Sequence, residues 1–272
     1  MTASAPTQRL GRKAERSNLL DHAVRLGLVC YGLMHLLVAW LALQLLFGSG
    51  QGKASSAGAL SQLARTPFGN ALLWVVAAGF FALALWRLLQ AVRGHRDATG
   101  GKRVLKRAAS GLKVMLYGAL GYSALRIAMG GGSSGSGTDT LTARLMSMPG
   151  GAVLVALVGV GVAAYGLALV YRGTSEGYKK HLEARGRVGD TGRAFMLLGK
   201  VGYLGKGVAL LPVAGLFVWA ALSHDPQKSG GLDQALRTVL QQPFGAPFLV
   251  VVAVGIACYG VFCFAWAWHL DR

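Results

Sequence analysis

A chain of 272 residues that is 53% hydrophobic and only 14% charged is poor in charge, since soluble domains carry about 25% charged residues. With a mean hydropathy of +0.47, lipid is the expected solvent for much of the chain, and an ordinary soluble domain is excluded. Forty glycines without a G-X-Y period exclude collagen; most lie inside apolar runs, where glycine lets helices approach closely.

The net charge of +18 raises nucleic-acid binding as a reading, but its distribution argues for a membrane instead. Residues 1–23, 93–110 and 172–196, with Arg272, hold 17 of the 28 Lys and Arg. Basic residues on alternate loops set membrane orientation and meet anionic lipid headgroups at the cytosolic face. The expected partners are therefore the bilayer and those headgroups, with an unidentified membrane protein as a further possibility and no nucleic acid. Cys30, Cys258 and Cys263 lie in apolar runs without C-x-x-C spacing, so neither a disulfide framework nor a zinc site is indicated.

Residues 1–23 form a basic arm with Arg9, Arg12, Lys13 and Arg16. The apolar run at 26–47 is too long for a signal-peptide core and shows no A-x-A cleavage site, so it is expected to be an uncleaved span. A low-complexity loop follows, then an amphipathic segment from Gly58 to Ala64 that is expected to lie along the outer interface as a short helix. Pro67 suits the first turn of the next helix, 71–86, and Arg87 is expected to snorkel to the headgroups.

The same plan returns with helices at 110–129 and 152–171, and again at 195–222 and 247–268. Aligning the units sets Gly32, Gly118 and Gly207 in register, and likewise Gly79, Gly161 and Gly255. Pro67, Pro149 and Pro243 align too, as do Gly69, Gly151 and Gly245. The domains expected are the arm 1–23 and repeats over 24–93, 108–173 and 194–270, each of two transmembrane helices. The six aligned glycines of the first two sets are expected to pack helices together.

Arg25-Leu26-Gly27 with Tyr31-Gly32, Lys200-Val201-Gly202-Tyr203 with Lys206-Gly207, and Pro67-Phe68-Gly69 with Pro243-Phe244-Gly245 carry a resemblance. The chain resembles a bacterial, mainly actinobacterial, family of uncharacterised membrane proteins built from tandem two-helix domains of unknown function. The middle unit departs from the pattern with Pro149-Gly150-Gly151 and no basic residue aligned with Arg25. The resemblance covers nearly the whole chain after residue 24. It implies a six-span plasma-membrane protein and brings no activity with it.

Three like-oriented hairpins can close into a pseudo-threefold bundle around a central seam. Gly27, Tyr31, His35 and Ala39 share one face of the first helix, and Tyr31, Tyr117 and Lys206 are expected to form one layer of the seam. His35 reads as a hydrogen-bonding partner between helices, with a ligand or proton-relay role as the alternative. Lys206 either snorkels or faces the seam. No Asp or Glu lies inside any of the six apolar runs, and no H-E-x-x-H, paired acids or nucleophile elbow occurs.

The fold expected is therefore all-α: six transmembrane helices as three tandem two-helix repeats, in the bacterial plasma membrane, with both termini cytosolic. The function expected is a non-enzymatic structural, assembly or envelope-associated component without cofactor or metal. The alternative is a small channel or facilitator for an anion, a neutral solute or a lipid.

Overall fold

The computed structural model describes residues 18–48, 53–93, 100–131, 137–175 and 189–269. Among them lie nine α-helices: α1 (Asn18–Leu46), α2 (Ser56–Ala64), α3 (Gly69–Arg93), α4 (Gly100–Ala128), α5 (Gly137–Met146), α6 (Gly151–Thr174), α7 (Gly189–Ser223), α8 (Leu232–Leu240) and α9 (Gly245–Trp268). A single 3-10 turn spans Pro226–Lys228, and no strand occurs among the described residues. The order long, short, long is used three times.

Among the described residues, five helices are long and apolar enough to cross a membrane: His22–Leu46, Gly69–Leu89, Gly151–Thr174, Gly192–Ser223 and Gly245–Trp268. The remaining long helix, α4, has 29 residues, but its basic start and the cations Lys113 and Arg126 interrupt its apolar run. Trp40, Trp74, Leu157, Leu167, Val251 and many other large apolar side chains are exposed on the long helices. An apolar surface of that extent belongs in lipid rather than water.

The long helices start earlier than the apolar runs that mark them. α1 begins at Asn18, α4 at Gly100 and α7 at Gly189, because no proline stops the backbone ladder where the polar residues begin. The arm expected over 1–23 is thus helical from Asn18, and its residues 1–17 lie outside the described residues. So do 94–99 and 176–188 of the basic loops, and 132–136 of the glycine-serine loop.

Each short helix leads into a long one through the same turn. The N–H groups of Gly69, Gly151 and Gly245 donate to Thr66, Met148 and Gln242 carbonyls at 2.8, 2.9 and 2.8 Å. A Cβ at any of the three glycines would land on a carbonyl of the preceding short helix, from Leu63, Leu145 or Val239. This steric demand explains the repeated glycine. Pro67 sits in that turn rather than in the first turn of α3, which begins at Gly69.

The short helix expected near residues 58–64 is α2, capped by Ser55, whose hydroxyl accepts the Gly58 N–H at 3.1 Å. Its counterparts α5 and α8 lie in stretches expected to be loops. In α8 the signal was Leu232, Ala235, Leu236 and Val239 at helical spacing, with Asp233 and Arg237 paired at 2.9 Å on the other side. Asp233 also joins two units, since its Oδ1 accepts the Ala54 N–H at 2.7 Å. Asp233→Ala is expected to cost about 1.5–3 kcal/mol, the usual worth of a hydrogen bond to a charged group. Limited proteolysis ahead of Ala54 should accelerate in that variant; unchanged cleavage would show that the link does not hold the segment.

The long helices pack in the order α4, α3, α1, α9, α7, α6, each chiefly on its neighbours in that series. Backbone proximity at glycine sets several of these contacts. A Cβ at Gly32 would lie 2.7 Å from the Gly260 carbonyl, and one at Gly207 would lie 2.7 Å from that of Gly166. A Cβ at Gly79 would meet Cys30 Sγ at 3.1 Å, and one at Gly255 would meet Gly205 Cα at 2.5 Å. Gly118 and Gly161 do not share this role, as nothing lies within 4 Å of a Cβ at either. For Gly161 the physical reason is the end of the series: among the described residues, α4 and α6 share no extended contact. The middle unit is open where the others are closed.

Candidate functional site

Lys206, carried on α7, reaches into the interior. Its Nζ donates to the Tyr31 hydroxyl at 2.7 Å and lies 3.0 Å from His35 Nε2. Two aromatic faces complete its surroundings, with Nζ 4.1 Å from the Tyr259 ring centroid and 4.8 Å from that of Tyr31. Rings attract a cation through their quadrupole, most strongly where water is excluded.

Helix spacing positions these groups. Tyr31 and His35 stand one turn apart on α1, and the pair is locked because His35 Nδ1–H donates to the Tyr31 carbonyl at 2.8 Å. A carbonyl can only accept, so Nδ1 carries a hydrogen and Nε2 is the atom offered to Lys206. Lys206 Nζ therefore has two acceptors, the Tyr31 oxygen and His35 Nε2.

Tyrosines build the wall. Tyr31 meets Tyr117 of α4 edge-on with centroids 5.4 Å apart, and Tyr259 of α9 at 6.2 Å. Tyr203 of α7 meets Tyr259 at 5.3 Å, while Phe80 of α3 closes on Tyr31 at 6.3 Å. Edge-to-face pairs of this kind add about 0.5–1.5 kcal/mol each beyond their burial. Cys263, one turn beyond Tyr259 on α9, is fully buried.

The structure thus brings Tyr31, His35, Tyr117 and Lys206 into one cluster, and Lys206 turns inward rather than toward headgroups. Arg87 departs from its expected snorkelling. Its side chain is buried and lies over Trp86 at 4.2 Å, with Tyr117 within electrostatic range. Arg172 of α6 is half-buried, its guanidinium 6.0 Å from the Tyr203 ring centroid. Spacing on the first helix of each unit did not point to Tyr203, Tyr259, Arg87 or Arg172. A signal was present: Tyr-Gly occurs at 31–32, 117–118, 165–166 and 259–260. In three of these pairs the glycine lies against a neighbouring helix and the tyrosine beside it turns to the interior or its edge.

Chemically, the cluster holds one cation in an apolar interior, solvated by a phenol, an imidazole and ring faces. It can transfer a proton between Lys206 and His35, and it attracts negative charge. Among the described residues no three His, Cys, Asp or Glu side chains converge on a metal position.

The family model described as Domain of Unknown Function (DUF1206) matches residues 26–94, 108–176 and 201–269. The chain belongs to this family. The uncharacterized protein YxxB of Bacillus subtilis (strain 168) is 27% identical over 253 residues, which cover 92% of this chain and 91% of that protein. No solved structure matches the chain. The three DUF1206 matches share the cluster between them: Tyr31, His35 and Phe80 fall in the first, Tyr117 in the second, and Tyr203, Lys206 and Tyr259 in the third. The site therefore belongs to the assembled chain and not to one DUF1206 unit.

Proposed function

We propose that this DUF1206 protein is a non-enzymatic component of the bacterial plasma membrane whose three units each cross the bilayer twice, with both termini in the cytosol. The units are related by a pseudo-threefold axis through the Tyr31–Lys206 layer. One observation carries the functional reading: aromatic rings fill the layer around Lys206. Passage along the axis would require displacing the rings of Tyr31, Tyr117 and Tyr259, which are all buried.

Several features support the arrangement. Units three and one meet through Gly260 and Gly32, and units two and three meet through Gly166 and Gly207 in the same way. α4, at about 1.5 Å per residue, is long enough to span, with Arg126 in its last turn able to reach headgroups. The basic loops lie at alternate ends of successive helices.

A second reading, facilitated movement of an anion, is favoured by the Lys206 cation at the axis. Reconstitution in liposomes separates the two. Chloride and glycerol flux are expected to match protein-free vesicles, whereas flux that disappears in Lys206→Met would replace the packing role with a conducting one. Sidedness is tested with a membrane-impermeant amine reagent at Lys102 and Lys179. Labelling is expected in inverted vesicles only, and labelling of intact cells would reverse the topology.

A further inference from the structure

Lys206 ties together two helices that another helix separates. α9 packs between α1 and α7, and Lys206 Nζ crosses the interior from α7 to reach Tyr31 and His35 of α1. Both ring nitrogens of His35 are occupied, Nδ1 by the Tyr31 carbonyl at 2.8 Å and Nε2 by Nζ at 3.0 Å. The residues around this tie sit beside the backbone contacts between units. Tyr31 precedes Gly32, Tyr259 precedes Gly260 and Lys206 precedes Gly207. A Cβ at any of these three glycines would stand within 2.9 Å of a carbonyl oxygen on a neighbouring helix. A change at the tie therefore acts where the helices are held closest.

His35 accepts at Nε2 only while that nitrogen carries no hydrogen. An added proton there would set N–H against N–H and place two positive charges 3.0 Å apart. Carboxylates on the surrounding helices are remote from the pair. Asp21 of α1 and Asp190 of α7 lie 14 and 16 residues before His35 and Lys206, about 21 Å or more along a helix. Helices α3, α4, α6 and α9 contain no Asp or Glu. The other titratable groups are Tyr31, Tyr117 of α4, Tyr165 of α6, Tyr203 of α7, and Tyr259 and Cys263 of α9. Phenols and thiols in water keep their protons below about pH 8. Arg25, Arg87, Lys113, Arg172 and Lys200 stand within about two turns of cluster residues on their own helices, and guanidinium and ammonium groups in water stay charged in that range. The further histidines of these helices are His22 near the start of α1 and His269 just past α9.

We propose that His35 is a proton-sensitive lock between the first and third units: the unprotonated ring holds Lys206, and proton uptake at Nε2 on acidification releases the tie from α7 to α1. This adds regulation to the packed site of the membrane-component reading and rests on that reading. An opening that brings His35 to water lets the ring take up a proton below about pH 6.5, the usual value of a histidine in water. With one proton gained per opening, the open population grows about tenfold between pH 7.5 and 5.5.

Cys263 reports the opening, because it is fully buried one turn beyond Tyr259. The full chain in mild detergent is treated with dithiodipyridine, which reacts with thiols in mild acid, and peptide mass spectrometry reads the rate at Cys263. Its ratio to the rate of a short cysteine peptide gives the protection at each pH. The histidines other than His35 are replaced by glutamine, so that His35 is the one imidazole. Protection in this chain is expected to fall about tenfold between pH 7.5 and 5.5, and to change less than about twofold once His35→Gln is added. A flat profile with His35 present overturns the proposal, and that arm stands even if His35→Gln fails to fold. An equal fall in His35→Gln overturns it too. Lys206→Met removes the facing cation, so the fall is expected to shrink; a fall as large as with Lys206 present would make burial alone the sensor and overturn the lock. Failure of the packing reading would show separately, as chloride or glycerol flux in liposomes.

Discussion

Gly205→Leu is expected to lower the stability of the detergent-solubilised protein by about 3 kcal/mol or more, at or beyond the upper end of overpacking penalties. A Cβ at this position would stand 2.5 Å from Gly255 Cα and 3.1 Å from its carbonyl carbon. Both atoms belong to backbone, so no rotamer change relieves the clash, and α7 and α9 must separate. Separation matters here because helix association in lipid depends on close van der Waals packing rather than on a hydrophobic driving force. It would also move Lys206 on α7 relative to Tyr259 on α9, since Nζ stands 4.1 Å from that ring. The control is Gly161→Leu, where a Cβ has open space and helix propensity favours the change by about 1 kcal/mol. Thermal unfolding followed by circular dichroism checks both variants. Equal losses in the two would show that glycine proximity is not what holds α7 to α9.

Tyr31→Phe is expected to destabilise the wild-type chain by about 1–3 kcal/mol and to cost little in a Lys206→Met background. The phenol oxygen takes the Lys206 ammonium at 2.7 Å, and its loss leaves a charge in an apolar core with one fewer acceptor. Lys206→Met alone removes the charge and keeps most of the volume, so it is expected to be neutral or stabilising by about 1–4 kcal/mol. The double-mutant cycle therefore predicts a coupling of about 1–3 kcal/mol with this order of stabilities. A Lys206→Met variant that ranks as the least stable of the three would mean that the ammonium stabilises the fold.

Parts of the cluster are legible in the linear chain. Tyr31 and His35 share a helix face by their spacing alone, and Tyr117 and Lys206 follow from alignment of the units. The remaining members are not legible in this way. Tyr259 and Tyr203 reach the interior because α9 packs between α1 and α7, and Arg87 turns inward because α4 places Tyr117 beside it. Register also misleads in one respect. Gly118 and Gly161 align with packing glycines, yet the face each presents has no neighbouring helix against it.

The sequence by itself determined the local and periodic features: apolar helices of bilayer length, the alternation of basic loops, and the plan used three times with its proline-glycine turns. These depend on composition and chain-local sterics, which a linear reading captures. Tertiary structure alone decided which face of each helix is interior, which helices are neighbours, and that the middle unit stays open. A helix in lipid is apolar nearly all round, so no polar stripe marks its outer side. The inner side is chosen by where two glycine backbones come within contact, and that is a property of pairs of helices, not of either one.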